Sequence, residues 1–123
     1  MEKTIELLKA IADETRFKII LLLSKQEMAV CEFMSALNLS QPAVSHHLKI
    51  LKQARLIKDH RKGKWSFYTI DHHKFKDLES DLDNNLFLPI QEYYKKGVLP
   101  SRIRLDPCLC EKLKQETVKE KAI

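Results

Sequence analysis

Three cysteines and five histidines are the side chains of this 123-residue sequence best suited to hold a soft ion or to act as nucleophiles. Cys108 and Cys110 form a Cys-x-Cys pair, and Cys31 stands alone. Two sulfurs at this spacing can be aimed at one ion from a loop, and in a strand they share a face. Cys31 is expected near the start of a short helix, where unpaired N–H groups and the positive end of the dipole favour thiolate over thiol. The bland reading of a lone cysteine is a small, inert, buried hydrophobe.

An extended chain covers up to about 3.5 Å per residue, so a tail leaving Gly97 reaches roughly 35 Å by Cys108. That reach is compatible with Cys31 completing a three-sulfur site, within one protomer or across a dimer. Three thiolates suit As(III) or Sb(III), whereas Cd(II) or Zn(II) usually asks for a fourth ligand, for which Asp106 or Glu111 is available. A disulfide or polysulfide link between two of the thiols would instead make a redox sensor. The plain alternative is a solvated tail with two incidental cysteines. No resident cofactor is required by any of these readings.

The elements that must position these groups are clearest in residues 33–70. Ser40 is a credible N-cap, and Pro42 falls in the first turn of the helix it opens, where a missing N–H costs nothing. Val44, Leu48 and Leu51 recur at helical spacing as one apolar stripe, while Pro42, Ser45, His46 and Lys49 project from the other side and Gln41 leads the first turn. Asn38 tolerates a left-handed turn, so three residues, 38–40, separate this helix from the one before it. Residues 57–61 and 65–70 are β-prone runs around Lys62 and Gly63, a hairpin whose tip gathers Arg61, Lys62 and Lys64. The pattern is a helix-turn-helix followed by a basic wing.

Charge supports DNA as the partner. Residues 38–70 hold seven Lys or Arg against the single acid Asp59, while the whole chain is only +5. The basic footprint lies where the motif lies. Gln41, Ser45 and His46 are the base-edge candidates, and Lys49, Arg61, Lys62 and Lys64 the backbone-holding ones. His47 is read, with His46, as a DNA-face residue.

Upstream, Ile5, Leu8, Ile11 and Ala12 predict a first helix, and Asp13 caps a second in which Phe17, Ile20 and Leu21 continue a core stripe, with Leu23 at its flank. That helix is expected to end near Ser24, followed by an extended piece at 28–30 and a helix at 32–37. Downstream, Phe75, Leu78, Leu82, Leu86 and Ile90 repeat at helical spacing towards Gly97, and Pro89 must kink or divide the helix. Two units follow: residues 1–97 for DNA binding and dimerisation, and 98–123 as an extension carrying the thiol pair.

At 44% hydrophobic the chain fits one modest core, and domains this small often associate. The longest apolar run, 19–23, is too short to span a membrane, and three cysteines are too few for a secreted disulfide scaffold. A cytoplasmic protein with free thiols and no membrane partner is expected.

Ala12-Asp13-Glu14-Thr15-Arg16, the run SQPAVSHHLKIL and Gly63-Lys64-Trp65 before an aromatic strand together resemble the ArsR/SmtB family of metal-responsive repressors. The resemblance covers residues 3 to about 95 and is most specific in SQPAVSHHL. It implies a winged helix-turn-helix fold, mostly α with a small β-hairpin wing, in a homodimer built on the first helix and the one after the wing. Arsenic-sensing members carry Cys-x-Cys where this chain has Ala29 and Cys31, so one implied ligand is missing. Zinc-binding members use histidines near His72 and His73 with a second pair further on, and no histidine follows His73 here. Arg55 stands where the family usually has glycine.

The expected function is a homodimeric repressor of a double-stranded DNA operator, released when As(III) or Sb(III) binds Cys31, Cys108 and Cys110, with Cd(II), Zn(II) or thiol oxidation as alternatives. A thiol enzyme using Cys108 or Cys110 lacks a base and orienting group, and two glycines leave no phosphate-cradling loop. An architectural DNA-binding protein without an effector is the third reading.

Overall fold

A computed structural model of the chain describes residues 2–95. Helices α1 (Glu2–Ile11) and α2 (Glu14–Leu23) lead into a short strand, β1 (Met28–Ala29), and then into α3 (Val30–Leu37) and α4 (Gln41–Gln53). Strands β2 (Ile57–Lys62) and β3 (Trp65–Ile70) form the hairpin, followed by α5 (His72–Leu82), a π-helical turn (Asp83–Phe87) and α6 (Leu88–Lys95). The sheet is antiparallel in the order β1-β3-β2, with Met28 opposite Tyr68 and Lys62 opposite Trp65.

The core gathers the fully buried Ile19, Phe33, Val44, Leu48, Leu51 and Leu56. Around them pack Leu7, Leu23, Met28, Ile57 and Leu78, so every helix from α1 to α5 contributes. The α4 stripe is therefore as the periodicity predicts. Two other faces differ. On α2, Ile19 and Leu23 are buried while Phe17 and Leu21 are half exposed. Six of its ten residues are large and apolar, on all sides, so spacing alone cannot select the inner face. On α1, the inward face is Thr4, Leu7 and Ala10, and Ile5 lies largely outside. Thr4 is admitted because its hydroxyl donates to Asp81 Oδ2 at 3.0 Å, tying α1 to α5.

Helix α3 begins at Val30, two residues before the expected start. Ala29 cannot cap through a side chain, but Glu32 Oε1 accepts from its backbone N–H at 3.0 Å, the reciprocal half of a capping box. Asp13 and Asp71 cap α2 and α5 by accepting from the N–H groups of Arg16 and Lys74. The π-helical turn ends at Phe87, directly before α6, whose second residue is Pro89. A widened turn relieves the clash a proline imposes on the turn before it. Helix α6 is described by itself; Leu88, Ile90 and Tyr94 on it are exposed.

Candidate nucleic-acid interface

Ser40 opens α4 by accepting the Ala43 N–H at 3.3 Å, with extended backbone at Ser40 and Pro42 in the first turn. Asn38 ends α3 in the left-handed region at φ 53°, and the Leu39 N–H returns to the Met34 carbonyl at 3.2 Å. This tight turn fixes the angle between α3 and α4. With Val44, Leu48 and Leu51 locked inward, Gln41, Ser45, His46 and Lys49 are left exposed. At the far end Arg55 is left-handed, φ 61°, where glycine would be unstrained, and the Leu56 N–H closes the cap on the Leu51 carbonyl at 3.1 Å.

The hairpin turn is Gly63 and Lys64, since Lys62 pairs with Trp65. Gly63 has φ +63° and Lys64 does not share that sign, the pattern of a type II′ turn. Lys62 thus ends a strand rather than forming the bend. Arg61 and Lys64 are exposed and make no ion pair among the described residues. Lys62 differs: its Nζ lies 2.5 Å from Glu27 Oε1, and His60 Nε2 lies 3.0 Å from the other oxygen, Oε2. Phe67 carries both, with the His60 ring stacked on it at 6.1 Å and the Lys62 ammonium 5.6 Å from its centroid. The Lys62 hydrogen bond holds the Glu27 carboxyl below its ordinary range. Likewise the Lys52 ammonium, 2.9 Å from Asp59, lowers the Asp59 carboxyl and is itself raised by that bond. The recognition helix and the wing are joined by this pair.

His47, unlike His46, turns away from the exposed face. It is half-buried, and its Nδ1 is 3.2 Å from Arg16 Nη1. Reading both as DNA-face residues is corrected for His47; the contact with α2 is separated by 31 residues and has no local sequence signal.

Cys31, the second residue of α3, is exposed, as a reactive thiol requires. It lines a groove of about 350 Å³ with Met34, Gln41, Lys64, Trp65 and Ser66, so the thiol, the first turn of α4 and the wing tip share one depression. Local periodicity gives no sign of this proximity. Cys108 and Cys110 lie outside the described residues. Among the described residues no three His, Cys, Asp or Glu side chains are placed to hold a metal ion. His72 and His73 are exposed at the start of α5.

A buried stripe that presents one polar helix face, beside a basic two-stranded hairpin, defines a winged helix-turn-helix protein. Residues 13–59 match the model of the bacterial regulatory protein, arsR family. The chain is 46% identical over 70 residues to the arsenical resistance operon repressor of Escherichia coli, covering 56% of this chain and 60% of that protein. It is 48% identical over 63 residues to the transcriptional repressor SdpR of Bacillus subtilis, covering 51% of this chain and 70% of SdpR. The reduced form of HlyU from Vibrio cholerae superposes with a TM-score of 0.57 at 32% identity, covering 69% of this chain and 90% of that one. The chain belongs to the arsR family, whose members are DNA-binding transcriptional regulators and not enzymes. Among the described residues no helix is long and apolar enough to cross a membrane.

Proposed function

We propose that the protein is a homodimeric transcriptional repressor that holds a double-stranded operator through α4 and the wing and releases it when a thiophilic metalloid binds its cysteines. The observation that carries the DNA half is the division of α4: Val44, Leu48 and Leu51 are buried while Gln41, Ser45, His46 and Lys49 are exposed beside Arg61 and Lys64 of the wing. Gln41, Ser45 and His46 read base edges in the major groove, and Lys49, Arg61, Lys62 and Lys64 hold phosphates. Lys62 must leave Glu27 or share it to do so.

Half-exposed Ile5, Leu86 and Phe87 supply apolar surface for a second copy, in keeping with the first helix and the helical stretch after the wing, on which the family resemblance implies the homodimer is built. Repression is supported by the two similar repressors, one of them a repressor of arsenical resistance. As(III) or Sb(III) is the favoured effector because Cys31, Cys108 and Cys110 provide three sulfurs. A ligand on Cys31 enters the groove that Gln41 and Lys64 also line, next to the DNA-binding groups. Release requires that the ligand prefer the low-affinity conformation, by the factor by which it weakens DNA binding.

Fluorescence anisotropy of DNA from upstream of the protein's own gene, under reducing anaerobic conditions, tests both halves. Tight salt-dependent binding reversed by arsenite, with reversal lost in Cys31→Ser and in Cys108→Ser, is expected. Release by cadmium, zinc or a polysulfide instead of arsenite reassigns the effector. Binding that none of them reverses removes the sensing half and leaves the DNA half intact.

A further inference from the structure

Arg16 makes three contacts that meet at the junction of three helices. Its Nε donates to the carbonyl of Ala10 at 2.6 Å, near the C-terminal end of α1, where helix carbonyls lack intrahelical partners. Its backbone N–H is the one Asp13 caps at 2.9 Å, at the start of α2. Its Nη1 reaches His47 Nδ1 on α4 at 3.2 Å. An arginine side chain has donors only. For this contact to be a hydrogen bond, Nδ1 of His47 must accept, which requires the ring proton on Nε2. The nearest carboxylate, Asp13 Oδ2, is 3.9 Å from the same Nδ1, beyond hydrogen-bonding reach. A planar fork can serve Ala10 and His47 together, whereas a lysine offers one compact centre and cannot span both.

We propose that Arg16 and His47 are positioning residues for operator binding: the guanidinium links the end of α1 to the inner flank of α4 and sets the pose of the recognition helix, with His47 held as the Nε2–H tautomer. Neither is assigned a DNA contact. His47 lies one position after exposed His46 and one before fully buried Leu48, so it stands between the DNA-facing side and the core. Because α1 also offers exposed Ile5 to a second copy, the link runs from the proposed dimer surface to the DNA surface. The inference rests on the DNA-binding reading above.

The test uses the full chain and the operator fragment. His47→Ala and Arg16→Lys are each expected to weaken binding about tenfold, on the order of one hydrogen bond to a charged group. The double variant should bind no worse than either single one, because the two groups act as a unit. His47→Asn, whose side-chain carbonyl stands near the lost Nδ1, should restore most of the affinity. The slope of log K against log salt should stay at its wild-type value, since no phosphate contact is removed. Wild-type affinity in His47→Ala, or a shallower salt slope, overturns the assignment. Nitrogen-15 NMR of the imidazoles in the unmodified protein decides independently of whether variants fold: an unprotonated Nδ1 at His47 is expected, and a protonated one contradicts the link. If the wild-type protein shows no salt-dependent operator binding, the DNA reading fails while the tautomer measurement still judges the contact.

Discussion

Lys52 in the last turn of α4 and Asp59 on β2 meet at 2.9 Å, so the recognition helix and the wing are tied by a charge pair where the chain passes from one to the other. The pair lowers the Asp59 carboxyl and raises the Lys52 ammonium. A folded-state carboxyl that is harder to protonate stabilises fully above the ordinary carboxylate range, near pH 4, and loses its contribution as pH falls through the lower folded value. The lysine side fails only above its ordinary range, as pH rises. The stability gap between wild type and Asp59→Asn, from urea unfolding, should thus be present at neutral pH and close in acid. A gap of the same size at pH 7 and pH 3 contradicts the pairing.

Glu27 holds the Lys62 ammonium that the proposed function assigns to phosphate. Glu27→Gln frees that ammonium, and the salt slope of DNA binding should steepen by up to about one counterion per protomer. By the same reasoning Lys62→Gln in the wild-type background should flatten the slope less than Arg61→Gln or Lys64→Gln. Equal effects of all three would show that Glu27 does not hold Lys62 in solution.

Two of the three left-handed positions, Arg55 and Gly63, predict opposite outcomes. Arg55→Gly should stabilise by about 1 kcal/mol, because a non-glycine residue there sits at φ 61°. Gly63→Ala should destabilise by roughly as much, although nothing lies within 4 Å of the added carbon, because φ is +63°. Ser40→Ala removes the α4 cap and should cost about 1 kcal/mol. Thermal unfolding midpoints read all three.

Association through Ile5, Leu86 and Phe87 is tested by sedimentation velocity. Ile5→Glu and Leu86→Glu should turn a dimer into a monomer with an unchanged far-ultraviolet spectrum, because both side chains are half exposed within one chain. A monomeric wild type would refute the proposed interface directly.

The DNA-binding half was legible because each of its signals is local. Ser40, Pro42, Asn38 and Gly63 act within a turn of themselves, and the α4 stripe has one apolar side only. Where a helix is apolar all round, as α2 is, spacing cannot say whether Phe17 or Ile19 faces inward. The burial of Thr4 depends on Asp81, the restraint of Lys62 on Glu27, and the turning of His47 on Arg16. Each partner is at least 31 positions away, and no periodicity carries that information. The Cys-x-Cys pair is visible only as spacing, since residues 108 and 110 lie outside the described part.

The salt dependence of operator affinity, compared between wild type and Lys49→Gln and between wild type and Gln41→Ala, tests the assignment of α4 and the wing most directly. Lys49→Gln should weaken binding to every sequence and flatten the slope by about one counterion per protomer. Gln41→Ala should leave the slope unchanged and narrow the preference for operator over random DNA. Unaltered slope and preference in both variants would mean that the exposed face of α4 does not meet DNA.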